Sequence, residues 1–386
     1  MLRSLPVQLL LCLIVALVFG NYLSTDIVSF FYTISCFLKD MLMIILPAII
    51  FSYLLAAILS FERKAPLLIL AIVILVIASN ATTVITAYGF SKIVLPLFSY
   101  EDLHTLTTAQ EEIKSLWRLP FSSPFTPDKT MIFGVVVGLV TSFLNKPIFK
   151  KTAFFLRDKA TVALKKSFIP FLPLYVLGFI LKLDRDGSLG LLLKNYSQIF
   201  AISCVLIVIY ISFLYAASAG FRWKIFKGFI ENMLPAGLTG FSTMSSAAAM
   251  PVTLDATEKN LNDREYADFV IPATVNIHMI GDGLNITLTS LALLIMTGQS
   301  IPDFSMFLGF TLYYCIAKFS AAGIPGGGVI VILPVAQHYL GLSAEATTML
   351  ATIYILQDPI ITAANVMGNG AFALLSGKLL KKANND

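Results

Sequence analysis

Apolar positions in this chain gather into long unbroken runs instead of one-faced stripes. Stretches of roughly 18 or more apolar residues recur from end to end, each long enough as a helix to cross about 30 Å of hydrocarbon. They predict spans near residues 6–24, 36–60, 66–97, 131–146, 168–183 and 198–220. Backbone polar groups in lipid must be satisfied within the protein, which leaves helices or a closed barrel. Barrel strands alternate at period two, and the run at 68–78 does not, so helices are expected.

Beyond residue 225 the pattern changes, with apolar segments broken by small and polar residues before they resume. Residues 225–262 read as two helical arms around Met244-Ser245-Ser246-Ala247-Ala248-Ala249-Met250-Pro251. Residues 266–300 read as a span broken near 276–283. Residues 303–341 repeat the two-armed form with a tip at 321–328, and 345–381 repeat the broken span, interrupted near 358–370. Paired Gly/Pro-interrupted segments in this order point to an inverted repeat with a binding site near the bilayer midplane. The expectation is an all-α polytopic membrane protein with eight transmembrane helices and two re-entrant helical hairpins.

Composition sharpens this reading. Charged residues are 13% and hydrophobic ones 57% of 386, with a mean hydropathy of +0.84. A soluble domain carries about 25% charged residues, and a water-facing surface of this size cannot be built from so few. Basic residues set the orientation. With both termini cytoplasmic, 18 of the 27 Lys and Arg fall inside, including seven between Lys146 and Lys166. Eight fall outside, Lys114, Arg118 and Lys129 of the polar loop 98–130 among them, and Lys318 lies within a hairpin. In a bacterium the location is the inner membrane. Arg3 and the apolar segment to Gly20 read as an uncleaved first helix. No basic run is interleaved with stacking aromatics, so nucleic acid is not an expected partner. Cys12, Cys36, Cys204 and Cys315 sit in apolar runs without metal-pair or disulfide spacing and read as small core residues.

The candidate chemistry lies in the few ionisable groups at membrane depth: Asp282, Asp358, Lys318 and His278. Asp358, Thr362, Asn365 and Asn369 are spaced i, i+4, i+7 and i+11, one face of a helix. A carboxylate, a hydroxyl and two amides on one stripe suit a zwitterion or a cation; helix–helix hydrogen bonding is the plainer use. Asn276-Ile277-His278-Met279-Ile280-Gly281-Asp282-Gly283 supplies a second polar break. Gly281 and Gly283 permit unwinding that exposes carbonyls to a hard cation beside the Asp282 carboxylate. Asp282 could equally be ion-paired to a neighbouring helix, with Lys318 as partner. His278 reads as a hydrogen-bonded interior histidine or a proton relay. Ser245-Ser246 precede an arm whose N-terminal N–H groups suit a substrate carboxylate, and residues 323–328 form a flexible tip able to close as a gate.

These motifs resemble the dicarboxylate/amino acid:cation symporter family, the glutamate-transporter family. Ser245-Ser246-Ala247-Ala248-Ala249-Met250-Pro251-Val252-Thr253 is similar to its serine-rich first tip, Ala322-Gly323-Ile324-Pro325-Gly326-Gly327-Gly328 to its second, and Asn365-Val366-Met367-Gly368-Asn369-Gly370 to its last helix. The resemblance covers nearly the whole chain and is most specific over 236–377. It implies a homotrimeric elevator. Scaffold helices lie in 1–65 and 131–185, with an extracellular loop at 98–130. The moving transport domain comprises 66–97 and 186–386. It also implies a coupling cation, sodium or alternatively a proton, and no other cofactor. Asp358 then holds a substrate amino group, with Thr362, Asn365, Ser245, Ser246, Gly323, Ile324, Pro325 and Gly326 completing the substrate site. Asn276, His278, Asp282, Asn365 and Asn369 form the ion sites.

Four departures from that pattern matter, one being that 98–130 is polar where the family's fourth element begins with extra membrane-embedded turns. Ile361 stands where acidic-substrate members carry an arginine, which implies a neutral amino acid as substrate instead of glutamate or a dicarboxylate. The family's Asn-Met-Asp-Gly break is altered, and either Asn276-x-His278 or Asp282-Gly283 takes its place. Lys318 replaces a small polar residue beside a sodium site. Its ammonium then either substitutes for one sodium or snorkels to an outer vestibule. A dicarboxylate carrier of the same architecture is the first alternative, although Asp358 would find no amine in such a solute. A membrane enzyme is the second, and it needs a nucleophile–base pair or metal cluster. His104, His278 and His338, the three histidines, stand in no such motif.

Overall fold

The computed structural model describes residues 5–60, 66–98, 113–117, 127–144, 146–167, 169–185, 189–321 and 326–383. In order the helices are α1 (Leu5–Phe19), α2 (Thr25–Ser60), α3 (Pro66–Val94), α4 (Pro127–Leu144), α5 (Pro147–Ser167), α6 (Leu172–Arg185) and α7 (Leu189–Ser218). Then come α8 (Trp223–Thr243), α9 (Ser246–Leu261), α10 (Arg264–Thr274), α11 (Ile280–Met296), α12 (Phe304–Lys318), α13 (Gly327–Ile330), α14 (Leu333–Leu340) and α15 (Ala344–Ala383). No strand occurs among the described residues. Three helical stretches there are long and apolar enough to cross a membrane: Leu70–Leu97, Asn195–Ser218 and Ala346–Leu380. α2 instead carries two shorter apolar stretches, Thr25–Leu38 and Pro47–Leu59, with Lys39 and Asp40 between them.

The chain divides into two compact units, Met1–Ser60, Leu97–Ile199 and Ala292–Ile301 forming one, Phe61–Pro96, Phe200–Leu291 and Pro302–Asp386 the other. In the first, α2 is the spine, lined by α4, α5 and α6. It starts near residue 25, well before the expected 36, because the hydroxyls scattered through its apolar first half are satisfied by backbone carbonyls. Thr33 donates to Ser29 O at 2.6 Å, and Ser35 donates to Phe31 O and to Leu174 O of α6. Gly134 on α4 lets Leu54 of α2 approach to the distance of a missing methyl, the small-residue contact typical of membrane helices. The basic segment 147–167, expected only as an inner connection, is helical. Its Ala153 packs on Leu55 and Ala56 while Lys151, Asp158, Lys159 and Lys166 are exposed.

In the second unit α15 is central, packed by α8, α9, α10, α13 and α14, and α12 packs on α3 and α14. α8 and α9 lie along each other as the expected two arms, reversed through Met244 at φ 49°. Two expectations are corrected here. The interruption near 358–370 does not occur, and α15 runs unbroken through Pro359. Its glycines serve close packing, with Ile280 against Gly368 and Met233 against Gly370. Tyr215 donates to Met367 O at 2.7 Å, which further holds the helix in place. The other break is real but falls at 275–279, not across Gly281–Gly283. Asp282 therefore lies in the first turn of α11, where a carboxylate is favoured by the helix dipole. Asn80 of α3 holds this break open. Its amide donates to Ile277 O at 2.8 Å, and its carbonyl oxygen accepts from Met279 N at 3.3 Å.

Candidate functional site

The second unit buries two neighbouring polar clusters. α11 enters its core without an exposed face, so its Asp282 carboxylate needs partners there, and it finds them. Asp282, Lys318, His278 and Asn369 are fully buried, and Asp358, Thr362 and Asn365 nearly so. The Lys318 ammonium, at the last residue of α12, donates to Asp282 Oδ2 at 2.5 Å and to Gly328 O at 2.9 Å. It also sits 5.0 Å from the centre of the Tyr314 ring. Asp282 Oδ1 accepts from Asn365 Nδ2 at 2.7 Å and from the Tyr354 hydroxyl at 3.1 Å. Asn365 Oδ1 in turn accepts from Asp282 N at 3.3 Å, so the two residues grip each other reciprocally.

Asp358 forms the second acidic centre. Its Oδ1 accepts from the Thr362 hydroxyl at 2.8 Å, one helical turn on, and its Oδ2 from Gly326 N at 2.7 Å. Gly326 adopts φ +71°, a left-handed conformation that aims its N–H at the carboxylate and that a side chain would strain. The two buried carboxylates and one buried ammonium carry a formal net charge of −1, which favours one more positive group. On the third side, Asn369 Nδ2 donates to Asn365 O at 3.0 Å, leaving its Oδ1 3.3 Å from His278 Nδ1. His278 Nδ1 therefore carries the proton, and Nε2 accepts from the Ser79 hydroxyl at 2.8 Å.

Of the residues singled out above, the structure brings together Asp358, Thr362 and Gly326, and separately Asp282, Asn365, Asn369, His278 and Lys318. Lys318 is fully buried, so snorkelling to a vestibule is excluded. Asn276 is exposed in the break instead of buried. Ser246 is buried at the start of α9, and Ser245 uses its hydroxyl to accept Ala248 N at 3.2 Å as the cap of that helix. Gly323, Ile324 and Pro325 lie outside the described residues. Sequence reasoning missed Ser79, Asn80 and Tyr354. The first two had a visible signal, because Ser79-Asn80 interrupts an otherwise apolar run. Tyr354 had none, since tyrosine is unexceptional in an apolar helix.

Close approach makes the network possible. A methyl on Gly281 would meet the backbone carbonyl of Ile361 and lie 2.8 Å from Ala364 Cβ, neither of which can swing aside. Gly281→Ala should destabilise the protein by about 1–3 kcal/mol through overpacking. The check is thermal unfolding of the purified protein, and an unchanged melting temperature would contradict the contact.

Residues 5–379 match the sodium:dicarboxylate symporter family. The chain is 24% identical over 334 residues to the serine/threonine transporter SstT of Acinetobacter baumannii, covering 83% of both chains. A serine/threonine transporter SstT of Acinetobacter baylyi is 33% identical over 136 residues, 33% of each chain. Excitatory amino acid transporter 3 of Oryctolagus cuniculus is 26% identical over 267 residues, 65% of this chain and 48% of that one. The match runs through both acidic centres and nearly the full length of an apolar helical chain, and on that ground the protein belongs to the sodium:dicarboxylate symporter family, integral membrane proteins that move solutes with a cation.

Proposed function

We propose that the protein carries a small neutral amino acid across the membrane together with a cation, sodium in the first place and a proton as the alternative. The observation that carries this reading is Asp358, a buried carboxylate whose partners are two neutral donors, Gly326 N–H and the Thr362 hydroxyl. A substrate ammonium supplies the charge this acid lacks. The fully buried Ile361 offers no cation for a second substrate carboxylate, and Lys318 is engaged with Asp282. The name of the serine/threonine relative agrees with a small polar amino acid. Gly326 N–H on Oδ2 and the Thr362 hydroxyl on Oδ1 still leave acceptor sites on both oxygens for a substrate ammonium. By extension, the hairpins are re-entrant, both termini are cytoplasmic, and a homotrimer holds 1–65 and 131–185 as scaffold while 66–97 and 186–386 move as an elevator.

Proteoliposome uptake of a panel of labelled amino acids and dicarboxylates, under sodium and proton gradients, tests this. A side-chain carboxylate buried without a partner costs several kcal/mol, so neutral amino acids should be preferred over aspartate or succinate by at least about 100-fold. Ile361→Arg should move that preference toward acidic solutes. The family's name favours a second reading, a dicarboxylate substrate; succinate uptake by the wild type with no uptake of amino acids would establish it instead.

A further inference from the structure

We infer that the Lys318 ammonium is a built-in cation, occupying a position whose oxygens would otherwise hold an alkali-metal ion. This rests on the reading of the protein as a cation-coupled symporter. The ammonium's surroundings are those of a hard cation: one carboxylate oxygen, Asp282 Oδ2 at 2.5 Å, and one backbone carbonyl, Gly328 O at 2.9 Å, with the Tyr314 ring face beside it. The rest of the cluster closes around Asp282. Its other oxygen accepts from Asn365 and Tyr354, so the carboxylate is held by donors on every side. A lysine is the side chain that best imitates a compact ion, a point charge on a flexible stem. It arrives at the C-terminal end of α12, where the helix dipole favours positive charge.

The position also links the tip to the core. Gly328 follows Gly326 by two residues, so the short segment that gives its N–H to Asp358 gives its carbonyl to Lys318. An ion from solution at this point would come and go with each cycle. The tethered ammonium cannot leave, so the tip closes here without taking up an ion, and the cycle moves one cation fewer than the oxygens could hold. A merely structural ion pair makes no such claim about sodium.

The experiment counts sodium on the purified full-length protein in detergent, without any solute, by radiolabelled sodium binding and by melting in sodium against choline chloride at equal ionic strength. Lys318→Ser should bind one sodium more per chain than the wild type and melt higher in sodium than in choline. Lys318→Arg, which keeps the charge, and the double variant Lys318→Ser/Asp282→Asn, which removes the anion, should show neither change. Equal sodium counts in wild type and Lys318→Ser would overturn the inference. So would a Lys318→Ser protein that fails to fold in sodium as completely as in choline, because the ion should restore the missing charge. Transport is not read here, so a protein that moves none of the tested solutes would sink the functional reading and leave this result standing.

Discussion

Asp358→Asn is expected to abolish concentrative uptake while leaving the fold intact. Asparagine has the same shape, and its amide oxygen can still accept from Gly326 N–H or the Thr362 hydroxyl. What it loses is the charge. Truncating one side of a buried, hydrogen-bonded charge pair costs about 2–5 kcal/mol, which weakens substrate binding roughly 30- to 4,000-fold. The hydrogen-bond donors to wild-type Asp358 are both neutral, so removing its charge also relieves a desolvation cost. The melting temperature of Asp358→Asn should therefore equal or exceed that of the wild type. Substrate binding measured beside thermal unfolding separates the two effects. Wild-type affinity in Asp358→Asn would remove this acid from the substrate site, and joint loss of binding and stability would make its role structural.

The opposite signature is expected at the other acid. Asp282→Ala leaves the Lys318 ammonium buried with only Gly328 O and the Tyr314 ring, and it strips Asn365 and Tyr354 of their shared acceptor. Breaking a buried ion pair by removing one partner costs about 3–5 kcal/mol, and each orphaned donor adds about 1–3 kcal/mol. The protein should melt far below the wild type or fail to accumulate. Asp282→Asn combined with Lys318→Met removes both charges together and should recover most of the loss, since neutral packing often replaces a buried ion pair without penalty. A double variant no more stable than Asp282→Ala would show that the pair is not the source of the stability.

Much of this site was legible before any coordinates. Asp358 and Thr362 are four residues apart, so helix geometry alone puts them on one face, and they are hydrogen-bonded there. The helical character of the chain, its two-armed segments and the break before α11 follow from apolar run length and from where small and polar residues interrupt it. The break in the last helix was misread for an identifiable reason. Pro359, Gly368 and Gly370 are helix breakers in isolation, but in α15 the glycines admit Ile280 and Met233, and packing outweighs propensity.

Length and apolar runs thus sufficed for the class of protein and for the short list of charges at depth, because each is a property of neighbours along the chain. Which of those charges meet was settled only by tertiary structure. Lys318 reaches Asp282 across 36 residues and Asn365 reaches it across 83, and no local periodicity reports on contacts between helices so far apart. Whether Lys318 sits in water or in the core depends on how closely α11, α12, α13 and α15 approach, and glycines such as Gly281 and Gly328 set that distance. An isolated helix carries no record of it, since the cost of a buried charge is fixed by the partners that packing brings to it.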